Sequence, residues 1–145
     1  MEQSLQTSTR PLDTVAEVAH SLTSDRALAL TSAVRVLREF YDPPAIFLFG
    51  SSAKDMAGAL SDLDLLLRMP SRDRRGARGT EFKEVFLGSY PRVDLVVFTD
   101  EEVRHHLANP YSFLSSVMAS ARPLFLKSPR DEPLLQGARA RGPGC

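Results

Sequence analysis

At 145 residues, with 43% apolar and 25% charged side chains, the chain is long enough for one domain with a hydrophobic core and has the composition of an ordinary folded protein. Its 18 basic and 18 acidic residues cancel, so no global charge recruits nucleic acid or a membrane surface, and neither partner is expected. No apolar run is long enough to span a membrane, Met1–Arg10 has no signal-peptide core, and the single cysteine, Cys145, excludes an intrachain disulfide framework; a cytoplasmic protein is expected.

In chain order, residues 1–11 read as a disordered leader, 12–127 as one domain, and 128–145, rich in Pro, Gly and Arg, as a disordered tail. Thr14 followed by Glu17 matches a capping box and predicts a first helix starting near Leu12–Thr14 and fraying around Thr23–Asp25. Leu30, Val34, Leu37 and Tyr41 recur at helical spacing with Arg35, Arg38 and Glu39 facing outward, and Asp42-Pro43-Pro44 stops that second helix. Ala45–Phe49, too short for a helix and apolar throughout, reads as a buried strand.

Gly50-Ser51 turns the chain, Ser52–Ala57 suits a short helix, and Asp62–Leu67 reads as the second strand. Residues 70–80 form a basic, Gly-containing loop. The cluster Arg68, Arg72, Arg74, Arg75 and Arg78 is read as solvated, because Asp73 and Glu81 are interspersed and no aromatic residue is interleaved for base stacking. Glu81–Leu87 suits a helical turn or two, and Val93–Phe98 is the third strand.

Thr99 and Glu102 make a second capping box, opening a helix that ends before Asn109-Pro110. Tyr111–Ala121 is expected as an amphipathic helix burying Phe113, Leu114, Val117 and Met118, followed by an edge strand at Arg122–Leu126, where Pro123 is tolerated. Tyr111, Phe113 and Phe125 are assigned to the core, and His20, His105 and His106 to the surface. This mixture of strands and helices predicts an α+β fold (α/β two-layer), a small mixed β-sheet packed against helices.

The chemistry concentrates in residues 47–65 and at Asp94. Side chains alternate along a strand, so Asp62 and Asp64 share one face while Leu63, Leu65 and Leu67 turn to the core. Two close carboxylates repel, and a hard divalent cation, Mg²⁺ or Mn²⁺, relieves that repulsion. A two-metal site needs a further carboxylate on the acceptor side. Asp94 can supply it, since it lies between Val93 and Leu95 where a core strand would prefer an apolar residue. Arg92, two residues earlier, shares its strand face and can balance the acids. Gly50 allows close backbone approach to a phosphate, the Ser51 hydroxyl and following amides can donate to phosphate oxygens, and Lys54 can add a charge contact.

In this order and spacing, Gly50-Ser51, Ala53, Ser61-Asp62-Leu63-Asp64-Leu65 and Asp94 resemble the nucleotidyltransferase superfamily of DNA polymerase beta, in its minimal nucleotidyltransferase (MNT) branch. The resemblance covers roughly residues 30–126. Ser52 stands where many members carry a larger residue, and Asp55 where a second Gly is common. The resemblance implies a polymerase-beta-like core. Asp62, Asp64 and Asp94 become the catalytic and metal-binding residues, and Gly50, Ser51, Ser52, Lys54 and Ser61 bind the triphosphate. It implies transfer of a nucleoside monophosphate, AMP from ATP, to a hydroxyl with release of pyrophosphate. Many MNT proteins resemble antitoxins that adenylylate a tyrosine of a helical HEPN toxin, so the resemblance implies a HEPN-type protein partner or a homo-oligomer. Two alternatives remain: transfer to a small molecule, as in aminoglycoside-modifying relatives, and a non-catalytic partner-binding module.

Overall fold

The computed structural model describes residues 10–50, 62–70 and 92–135. Five strands form one mixed sheet: β1 (Leu12–Asp13), β2 (Ala45–Phe49), β3 (Leu63–Met69), β4 (Val93–Thr99) and β5 (Arg122–Leu126). Their spatial order is β1-β5-β2-β3-β4. β3 and β4 run parallel and the other neighbours antiparallel. Four helices are described: α1 (Val15–His20), α2 (Ser24–Phe40), α3 (Asp100–Leu107) and α4 (Phe113–Met118). This is the mixed α+β arrangement of a polymerase-beta-like core. Among the described residues no helix is long and apolar enough to cross a membrane.

Strand alternation divides the interior in two. Ile46, Leu48, Leu63, Leu65, Leu67, Val93 and Val97 pack with Leu30, Val34 and Leu37 of α2 and with Val15 and Val18 of α1. The opposite face brings Ala45, Phe47, Leu66 and Phe98 against Val103 of α3 and Leu114 and Met118 of α4. Asp62, Asp64 and Asp94 belong by parity to this second face, near the end of the sheet where β2 finishes and β3 and β4 begin.

Several local expectations change in detail. Thr14 does precede α1, but it makes no side-chain cap; its hydroxyl donates instead to the Pro123 carbonyl, tying the helix start to β5. β5 is flanked by the two-residue β1, and Pro123 sits where the β2–β5 register shifts. α2 ends at Phe40, and Asp42, with φ 48°, reverses the chain while its amide donates to the Leu37 carbonyl. The Thr99–Glu102 capping box forms in full.

The helix expected over 111–121 is shorter because Ser112 takes the N-cap, accepting from the Ser115 amide. Tyr111 and Phe113, assigned to the core, therefore fall before and at the start of the helix and are exposed, at 93% and 53%. Phe125 is buried as expected, with the Arg38 guanidinium 4.0 Å over its ring. His106, assigned to the surface, packs edge-on against Phe98, with ring centroids 5.2 Å apart.

Residues 128–135, expected as the start of a disordered tail, are held against the domain. Pro129–Asp131 is a 3₁₀ turn, and beyond it Glu132 is 1% exposed and Leu134 fully buried. Their anchor is Arg68, placed by its sequence neighbours in the solvated basic cluster. Its Nε and Nη2 donate to the two Glu132 oxygens at 2.7 and 2.8 Å, and Nη1 donates to Asp100. Pairing through both oxygens is what makes burial of the Glu132 charge tolerable. The leader 1–9, the short helix expected at 52–57, most of the basic loop, the turns expected at 81–87 and the tail 136–145 lie outside the described residues.

Candidate active site

The site grows from the register of three strands. Phe49 at the end of β2 pairs with Asp64 of β3, and Asp64 pairs in turn with Asp94 of β4. Residues directly opposite on neighbouring strands point to the same face, so Asp64 is flanked by Phe49 and by Asp94. Asp62, two residues before Asp64, shares that face. The three acids named from sequence are thus brought to one end of one face. Ser51, Ser52, Lys54 and Ser61 lie outside the described residues.

Gly50 follows Phe49 directly and has φ 77°, a left-handed conformation that favours glycine. A Cβ there would lie 2.5 Å from Asp64 Oδ2. Gly50 is therefore needed twice, once for the turn and once to admit the Asp64 carboxylate against the backbone. Sequence spacing suggested the first role; the second is visible only in three dimensions.

Like charges crowd the site. Burial, then the nearby carboxylates of Asp94 and Asp62, push the Asp64 carboxyl above its usual range, with Arg92 opposing. Arg92 reaches the cluster through one atom: Nη2 lies 3.1 Å from Asp94 Oδ2 and 3.3 Å from Asp62 Oδ2. Its backbone is held, because the Leu63 amide donates to the Arg92 carbonyl at 2.9 Å. Its side chain is 68% exposed.

Among the described residues, no group of three or more His, Cys, Asp and Glu side chains stands arranged as a metal cage. As a donor set, however, Asp62, Asp64 and Asp94 fit a hard divalent cation: all are carboxylates, they share a face, and they carry more negative charge than Arg92 offsets. Among the described residues, His20, His105 and His106 lie on other elements than these strands and add nothing to the set.

A family profile described as a nucleotidyltransferase domain matches residues 30–118, more than half of the chain. This protein belongs to the nucleotidyltransferase domain family. The matched span runs from within α2 through α4 and so contains β2, Gly50, Asp62, Asp64 of β3 and Asp94 of β4. Membership supports nucleotidyl transfer as the activity, with a nucleotide as substrate, and agrees with the polymerase-beta-like core of the fold. No curated protein matches the chain.

Proposed function

We propose that this nucleotidyltransferase is a metal-dependent enzyme that moves AMP from ATP to a hydroxyl on a protein partner, in the manner of an MNT antitoxin acting on a helical HEPN toxin. The observation that supports the catalytic part is the register Phe49–Asp64–Asp94, which pairs two carboxylates on neighbouring strands, with Asp62 just before β3 and Gly50 close against Asp64. The MNT branch, ATP as donor and the protein acceptor rest on the motif resemblance.

In this mechanism Asp62 and Asp64 would hold Mg²⁺ or Mn²⁺, and Asp94 would serve a second metal and the acceptor. When bound, the cation offsets charge on the triphosphate and on the leaving pyrophosphate. Asp94, 41% exposed, is open to an incoming hydroxyl and takes its proton. The hydroxyl oxygen bonds to the α-phosphorus as the bond to pyrophosphate breaks. Gly50 lets the chain approach a phosphate without a Cβ in the way. Ser51, Ser52, Lys54 and Ser61 are proposed triphosphate contacts.

The test is incubation of the purified protein, alone and with the product of a neighbouring reading frame, with Mg²⁺ and α-labelled nucleoside triphosphates. Label on protein together with released pyrophosphate is expected with ATP, and Asp62→Ala is expected to reduce transfer by at least about 10²-fold. Full transfer by Asp62→Ala would overturn the assignment of the acids. Transfer to a small hydroxylated acceptor instead would replace the protein partner, and nucleotide binding without transfer would favour a contact-only module.

A further inference from the structure

We infer that Arg92 is a built-in stand-in for the catalytic cation: in the nucleotide-free protein its Nη2 occupies the place between Asp62 and Asp94, and it must yield that place for a divalent ion to bind. This rests on the reading of Asp62 and Asp94 as metal-binding residues and adds a role for a residue that reading does not use.

Three observations carry it. First, the contact is made by a single nitrogen. Elsewhere in the fold, where an arginine is structural, Arg68 uses Nε and Nη2 together on both oxygens of Glu132. Arg92 instead reaches two different carboxylates with one atom, at 3.1 and 3.3 Å. A point-like positive centre against two acids offsets their charge as a hard cation held by them would, and it forgoes the paired geometry that makes Arg–carboxylate contacts strong. Second, the contact can be released. The Arg92 side chain is 68% exposed, and Asp62 and Asp94 are each 41% exposed, so withdrawal leaves no charge stranded in the core. Third, release does not disturb the sheet. The Arg92 carbonyl is fixed by the Leu63 amide, and the parallel ladder from Leu63–Val93 onward holds the strands in register whether or not the side chain moves.

Arg92 thereby keeps the carboxylates from repelling one another before substrate arrives. Once the cation and its triphosphate enter, the acids have a stronger partner and the freed guanidinium faces a polyanion instead. Arg92 is a positioning residue that competes with the metal in the free protein and favours the nucleotide in the loaded one.

The opposing signs make the test specific. Mn²⁺ binding to the nucleotide-free protein, followed by electron paramagnetic resonance, is compared for wild type, Arg92→Ala and Arg92→Lys. Removing two exposed ion-pair contacts is expected to tighten Mn²⁺ binding about 3- to 10-fold in Arg92→Ala, with Arg92→Lys between. At saturating metal, Arg92→Ala is expected to raise KM for the nucleoside triphosphate more than it lowers kcat. Equal or weaker Mn²⁺ binding by Arg92→Ala would overturn the stand-in role while leaving the metal site in place. No Mn²⁺ binding by wild type or variant would overturn the metal reading itself, and this inference with it.

Discussion

At the C-terminal end of β3, Arg68 grips Glu132 through two nitrogens and touches Asp100 with a third; at the N-terminal end, Arg92 bridges Asp62 and Asp94 through one. The two clusters lie on the same sheet, on the same face, only a strand's length apart. What separates them is exposure. The Arg68 side chain is 12% exposed and Glu132 1%, so any unmet hydrogen bond there would be costly. The Arg92 cluster is open to water and leaves Asp64 with its carboxyl shifted upward by burial and like charge. Closed pairing holds the segment 129–135 against the domain; the open cluster keeps its carboxylates within reach of solvent.

The largest structural effect should come from breaking the closed cluster. Glu132→Ala leaves the largely buried Arg68 side chain without its two-oxygen acceptor and is expected to reduce unfolding free energy by about 3–5 kcal/mol in urea denaturation. Arg92→Ala should leave the urea midpoint essentially in place. Equal losses in the two variants would erase the distinction between a structural and a functional arginine.

A smaller effect is expected at the seam between turn and site. Gly50→Ala places a side chain at positive φ and against Asp64 Oδ2, so a loss of about 1–2 kcal/mol from the backbone conformation is expected, with transfer activity falling as Asp64 is displaced. Full activity in this variant would mean that Asp64 acts equally well from another position.

The smallest effect sharpens the electrostatic contrast. Because burial and the neighbouring carboxylates raise the Asp64 pKa in the folded state above its ordinary value of 3.8, the folded protein holds that proton more tightly than the unfolded chain. Ionisation of Asp64 therefore lowers stability as pH rises from the ordinary value through the raised one, and the deficit persists at neutral pH. Asp64→Asn should raise the metal-free melting temperature by roughly 1–2 °C at pH 7, after allowance for solvent screening, and the gain should vanish in acid below both pKa values. Added Mg²⁺ should stabilise wild type but not this variant. A gain that is independent of pH would show that charge is not its origin.

The elements whose signals are local were legible in the sequence. Helix α2 with its buried Leu30, Val34 and Leu37, strand β2, and the Thr99–Glu102 box before α3 depend on neighbours a few residues away. The acids at positions 62, 64 and 94 were legible for a related reason: strand parity and motif spacing are both properties of the chain. Competition was harder to read. Thr14 had a matching Glu17 yet spends its hydroxyl on Pro123, 109 residues away, and Ser112 won the cap of α4 and so left Tyr111 and Phe113 in solvent.

Sequence by itself determined helix α2, strands β2 to β5, the capped start of α3 and the turn at Gly50, because periodicity, stereochemistry and spacing act over short stretches. Tertiary structure decided which charges would be closed and which left open. Arg68 sits beside a basic loop in sequence and reads as one more solvated charge; its partner Glu132 is 64 residues away, in a segment whose composition reads as tail. Pairing over that distance depends on sheet order and on the burial it creates, since the same ion pair that adds little in water becomes obligatory once the core closes around it.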